Sequence, residues 1–202
     1  MGIDRTTLWL SAALAACGSS APSPPRAAPP PPPAAYGVKR YLPLEDATVY
    51  SYQVQSDQSA APGLMVVQVR RIDATHAELR IAGRARRLEL TPQGARLDEG
   101  GWLLKAPLTA GATFPGLSGQ VSVTSADRAI TVPAGHFEHC VETEERSGVR
   151  TRTVFCPDIG ITELEVESLD EEDQRHELVR LKSHGPAIDL GVTDTRVLPS
   201  DQ

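Results

Sequence analysis

His136, His139 and Cys140 form the densest cluster of metal-type ligands in the chain. Imidazole nitrogen and thiolate sulfur suit zinc, but zinc needs three or four ligands converging on one point. On a β-strand successive side chains alternate between faces, so His136 and Cys140 share one face and His139 points to the other. At most two of the three converge, and the expectation is solvated histidines near a turn, with no metal and no cofactor. Serine hydrolysis calls for an elbow of the form Gly-x-Ser-x-Gly, which does not occur; Leu117-Ser118-Gly119 lacks the first glycine and a following helix. Paired carboxylates (Asp98/Glu99, Glu144/Glu145, Glu171/Glu172) sit by turns or on alternating strands, where neighbours face opposite ways. No phosphate loop or dinucleotide fingerprint is present. The basic cluster Arg84 to Arg87, with Ala85 inside it, follows a glycine turn and reads as a surface or rim, with an anion site as the functional alternative. These residues point away from catalysis.

The elements that must hold these side chains read as strands. From Ala47 onward apolar and polar residues alternate in short runs: Ala47 to Gln55, Gly63 to Asp73, Thr75 to Ala82, Arg86 to Leu90 and Gly94 to Leu97. Trp102 to Lys105, Gly119 to Thr124, Ala129 to Val132 and Phe137 to Arg146 continue the pattern. Pro- and Gly-containing turns such as Pro92-Gln93-Gly94 and Pro133-Ala134-Gly135 separate the runs. Short strands at this spacing predict an all-β domain, an antiparallel sandwich or curved sheet. A short helix near Asp170 to Arg180 is the rival reading there, and a hairpin is preferred. The formal net charge is −6, with no basic stripe, so nucleic-acid binding has no electrostatic footprint. Aromatic residues make up only 4% of the chain, which argues against a stacking platform.

Ahead of this domain lies Leu14-Ala15-Ala16-Cys17, which closes an apolar stretch beginning at Leu8. It resembles the lipobox of bacterial lipoprotein signal peptides. The stretch is too short for a membrane-spanning helix, which needs about 20 residues, and suits the apolar core of a secretory signal. The resemblance implies that Cys17 is lipidated and becomes the N-terminus, held by several acyl chains. Gly18, where aspartate signals inner-membrane retention in enterobacteria, leans towards an outer-membrane lipoprotein facing the periplasm. Gly18 to Ala35 is almost wholly Ala, Pro and Ser and predicts a disordered linker biased to an extended polyproline rod. The expected organisation is a signal peptide over residues 1–16, a lipidated linker over 17–35, a β-rich domain over 36–184 and a weakly ordered tail over 185–202.

With Cys17 assigned to lipid, Cys140 and Cys156 remain in an oxidising compartment, where such a pair tends to close. Pairing Arg146 with Arg150 across Ser147-Gly148-Val149 sets Cys140 opposite Cys156. The same register sets Glu144 against Arg152, Thr143 against Thr153 and Val141 against Phe155, combinations that stabilise neighbouring strands. A slip of one residue sends the two cysteines to opposite faces. A second hairpin, Ile161 to Leu169 with Gln174 to Lys182, places Glu163 opposite Arg180, Leu164 opposite Val179 and Glu167 opposite His176. Its loop Asp170-Glu171-Glu172-Asp173 lacks the ligand spacing and glycine of a calcium loop and reads as a solvated turn.

Leu104 to Gly111, Val132-Pro133-Ala134-Gly135-His136-Phe137, Cys140, and Cys156-Pro157-Asp158-Ile159-Gly160-Ile161 together are similar to bacterial extracytoplasmic lipoproteins of unknown function. Such proteins commonly have tryptophan after the Gly111 segment, where this chain has Phe114. The resemblance implies a curved antiparallel sheet, an open half-barrel of the kind seen in periplasmic lipoprotein carriers, and no catalytic residues. The expected function is that of a membrane-anchored envelope lipoprotein whose non-enzymatic β-domain binds an envelope partner or an apolar ligand. The alternatives are an assembly factor acting through a sheet edge, and an unrecognised hydrolase. A deep apolar cavity favours the first reading, and a filled core with a bare edge favours the second.

Overall fold

The computed structural model describes residues 37–170 and 175–187. Cys17 with its apolar stretch and linker, the turn residues 171–174, and residues 188–202 lie outside the described residues. A single turn of helix, α1 (Val38–Tyr41), precedes strands β1 (Thr48–Ser56), β2 (Gly63–Arg71), β3 (His76–Ile81), β4 (Arg84–Thr91), β5 (Gly94–Leu97) and β6 (Trp102–Lys105). Then follow β7 (Thr113–Pro115), β8 (Gln120–Val132), β9 (Gly135–Ser147), β10 (Val149–Cys156), β11 (Gly160–Ser168) and β12 (His176–Pro186).

Every strand pairing is antiparallel, and the sheet order is β6-β5-β4-β3-β2-β1-β12-β11-β10-β9-β8-β7. The sheet is therefore two six-strand meanders, β1–β6 and β7–β12, joined where β1 pairs with β12. Its two edges approach each other. A Cβ added to Gly101, just before β6, would stand 2.2 Å from the carbonyl oxygen of Gly116, just after β7. Gly101 also has φ +80, a left-handed conformation that favours glycine. The sheet is thus curved into a nearly closed barrel, the antiparallel curved architecture expected from the sequence.

Alternation puts one apolar face of each strand inside the curve. Tyr50, Tyr52, Val67, Val69, Ala77, Leu88, Ala95, Leu104, Val141, Phe155, Val179 and Leu181 are all buried. Both expected hairpins have the expected registers. Arg146 pairs with Arg150, Glu144 with Arg152, Thr143 with Thr153 and Val141 with Phe155, and Gly148 sits at the tip with φ +66. Glu163 pairs with Arg180, Leu164 with Val179 and Glu167 with His176.

Other details differ from expectation. Gly119 to Thr124 and Ala129 to Val132 are not two strands but one, β8, whose middle stays paired to β9 through three register shifts. Segments α1 and β7 are too short to leave a periodic signal. The β-domain extends past residue 184: Gly185 and Pro186 pair with Val49 and Thr48, and the Ala187 N–H bonds to the Ala47 carbonyl. His136 and Cys140 do not share a face. Between the pairs Ile130–Phe137 and Arg128–Cys140, β9 has two residues against one on β8, and His139 adopts φ +57. This bulge inverts the alternation, so Cys140 faces away from His136.

Candidate functional site

The interior of the curved sheet is not filled. A cavity of about 130 Å³ lies against Tyr50 and Tyr52 of β1, Met65 and Val67 of β2, and Leu79 and Ile81 of β3. Leu103 of β6, Ile161 and Leu164 of β11, and Val179 of β12 complete the wall. All of these are apolar except at two phenol oxygens. The Tyr52 hydroxyl donates to the Ile161 carbonyl at 3.1 Å, and burial pushes its pKa up, so it stays protonated. The Tyr50 hydroxyl has no hydrogen-bond partner among the described residues. Burial, then the negative charge of Glu45, pushes its pKa up, which keeps it a proton donor.

One end of the cavity is capped by the chain that leads into β1. Leu42, Pro43 and Leu44 contribute to its wall, and Tyr41, Leu42 and Leu44 are buried. Several contacts fix this segment. The Tyr41 hydroxyl donates to the His139 carbonyl at 3.0 Å, the Asp158 N–H donates to the Arg40 carbonyl at 2.7 Å, and the Arg40 guanidinium grips the Asp158 carboxylate at 2.9 Å. Gly160, beside Pro43 and the Tyr50 hydroxyl, has φ +104, a left-handed conformation that favours glycine. Leu44 (φ 42) and Ala47 (φ 56) bend the chain from the cap into β1.

At the other end the wall runs out at the β3–β4 turn. Ile81 pairs with Arg84 and Leu79 with Arg86. Directly opposed residues of an antiparallel pair share a face. The two arginines therefore stand on the same face as the apolar wall, beside it on β4. Arg86 donates to Glu99 at 2.6 Å, while Arg84 is exposed and has no ion pair among the described residues.

The outer side of the second meander carries charge. Arg128 pairs with Glu142 and lies 3.8 Å from Glu163; Arg152 pairs with Glu165, which also meets His176 at 2.8 Å; Arg150 pairs with Glu167. Arg128 reaches from β8 to β11, and the Ala134 N–H donates to the Leu181 carbonyl of β12. The far half of the β8–β9 hairpin thus bends back across β10 and β11. Cys140 and Cys156 are joined by a disulfide at a Cα separation of 4.2 Å, fully buried, with Thr162 packed against the Cys156 sulfur at 3.2 Å.

The remaining described residues singled out by the sequence are engaged in separate local contacts. His139 Nδ1 contacts Asp127 at 2.8 Å, His136 Nδ1 contacts the Thr131 hydroxyl at 2.9 Å, and Cys140 is in the disulfide. Among the described residues no three His, Cys, Asp or Glu side chains are placed to hold a metal ion. Glu145 accepts from the backbone N–H groups of Ser118 and Gly119, so this carboxylate closes the β7–β8 turn. Sequence reasoning missed the cavity itself. Its signal was the matched alternation of Tyr50/Tyr52, Met65/Val67 and Leu79/Ile81 on consecutive strands.

No protein-family model matches the chain, and no curated protein matches it. Three solved structures are similar to this chain at low identity. A candidate lipoprotein of Parabacteroides distasonis is 10% identical, with a TM-score of 0.46 over 70% of this chain and 96% of that one. A candidate exported protein with a YmcC-like fold from Bacteroides fragilis is 11% identical, with a TM-score of 0.43 over 70% and 96%. A LolA-superfamily protein of Nitrosomonas europaea is 11% identical, with a TM-score of 0.30 over 77% and 95%.

Proposed function

We propose that this chain is a lipid-anchored protein of the bacterial cell envelope, tethered through Cys17, whose β-domain binds an apolar ligand inside its curved sheet. The observation that carries the ligand assignment is the apolar cavity of about 130 Å³ between the Leu42–Leu44 cap and the sheet. Apolar cavities on the order of 150 Å³ stay dry and take a benzene-sized molecule. This one therefore has room for a ring or a short run of methylenes, each contributing about 0.8 kcal/mol on burial. The approach of the two sheet edges at Gly101 and Gly116 disfavours assembly through a bare edge, the other reading of the sequence.

The test is titration of the full chain with hexanol, a neutral amphiphile, read by calorimetry or by displacement of a neutral fluorophore. Saturable binding with a negative heat-capacity change supports the reading, and no binding overturns it. The anchor is tested separately by mass spectrometry of the protein extracted from membranes. An acylated N-terminal peptide starting at Cys17 is expected, and an unmodified Cys17 in the extracted protein excludes lipidation there.

A further inference from the structure

The Arg84–Arg87 cluster is left unexplained by an apolar ligand alone. Its two even-numbered members stand next to the cavity wall, one strand over, on the same face of the sheet. Arg84 faces Ile81 and Arg86 faces Leu79 across the β3–β4 pairing, and both Ile81 and Leu79 line the cavity. The inner face therefore changes from apolar to cationic in one step across the sheet, from β3 to β4, at the end away from the cap. Both guanidiniums are exposed, and long arginine stems lie along apolar surface while the heads stay in water.

Building on the ligand reading above, we propose that the cavity takes an amphiphile whose alkyl chain enters among Leu79, Ile81 and Met65 and whose anionic oxyacid head is held by Arg84 and Arg86. Guanidinium groups present paired N–H donors that match the oxygens of a carboxylate or phosphate. Arg84 has no competing carboxylate among the described residues. Arg86 is held by Glu99, whose carboxylate stands where a ligand head would bind. Glu177 of β12, two residues from the cavity-lining Val179, lies four strands from β4 in the sheet order.

The experiment compares binding of hexanol, hexanoate and hexyl phosphate to the full chain, each below its micelle concentration and at low salt. The acids are expected to bind about tenfold or more tightly than the alcohol, since a hydrogen bond to a charged partner is worth at least that factor. In the R84Q/R86Q variant this preference falls to near unity, while hexanol binding is unchanged. In E99Q, which frees Arg86, acid binding tightens and hexanol binding again is unchanged. Whether the carboxylate or the phosphate gains more identifies the head. Equal affinities for alcohol and acids in the unmodified chain, or a preference that survives R84Q/R86Q, overturns the head-group assignment and leaves the cavity reading standing. Failure of hexanol to bind removes the cavity reading itself.

Discussion

Asp73 shows how much local structure one exposed carboxylate organises. Between β2 and β3 it accepts from the Thr75 N–H at 2.7 Å, the Thr75 hydroxyl at 2.9 Å and the His76 N–H at 2.8 Å, and it contacts the His76 ring. The Thr75 backbone N–H, helped by the hydroxyl and His76, holds its pKa down from 3.8 to about 2. A folded-state value below the unfolded one gives stability that is present above pH 3.8 and lost as pH falls towards 2. The side chain is half exposed, so the effect is small. Denaturant midpoints of wild type and Asp73→Asn should therefore converge through that window, and parallel curves would exclude this role for the charge. Tyr50 makes the complementary case. Its hydroxyl has no partner among the described residues, so Tyr50→Phe is expected to change stability by less than about 0.5 kcal/mol. If a bound head or chain carries an acceptor near that hydroxyl, the same variant weakens ligand binding, and titration separates the two effects.

At the scale of elements the β9–β10 hairpin is the most constrained piece. Its disulfide joins residues separated by 16 positions, and in the chain-entropy model such a bridge stabilises by about 3 kcal/mol. Cys140→Ser with Cys156→Ser is expected to lower the melting temperature by roughly 6–12 °C for a domain of this size, and an unchanged melting temperature on reduction would deny the bridge that role. Both hairpin registers were legible in the sequence because they depend on residues close along the chain: Glu144 with Arg152, Thr143 with Thr153, Glu163 with Arg180. The bulges were not. The extra residue at Glu138-His139, and Thr162 between the pairs Val154–Glu163 and Phe155–Ile161, arise where the hairpins bend over their neighbours. That bend is a tertiary event, held by Arg128 with Glu163 and by Ala134 with Leu181, and no local pattern encodes it. The cap was hidden for a related reason. A four-residue helix has no periodicity to read, and Tyr41 and Leu42 are apolar because of what they cover.

At the scale of the whole molecule, the cavity exists because two meanders close on each other. Neither β1–β6 nor β7–β12 encloses it alone. Its wall draws on β1, β2, β3 and β6 from one and on β11 and β12 from the other, brought together by the β1–β12 pairing and the Gly101–Gly116 approach. An empty cavity of about 130 Å³ costs stability of about 3 kcal/mol at roughly 24 cal/mol per Å³. A domain that keeps such a space forgoes that stability, the usual trade between stability and a binding site. Filling it reverses the trade. Val67 and Val179 face the cavity from β2 and β12, and Val67→Leu with Val179→Leu adds one methylene from each wall. The double variant is expected to unfold about 1–2 kcal/mol later in denaturant without ligand, provided the added methylenes enter empty space rather than overpack the wall. It is also expected to bind hexanol at least tenfold more weakly. Ligand at a hundred times its dissociation constant should stabilise wild type by about 2.7 kcal/mol and the filled variant far less. A variant that is less stable yet binds as wild type does would mean that the chain enters elsewhere, and that this space belongs to the packing of the closed sheet alone.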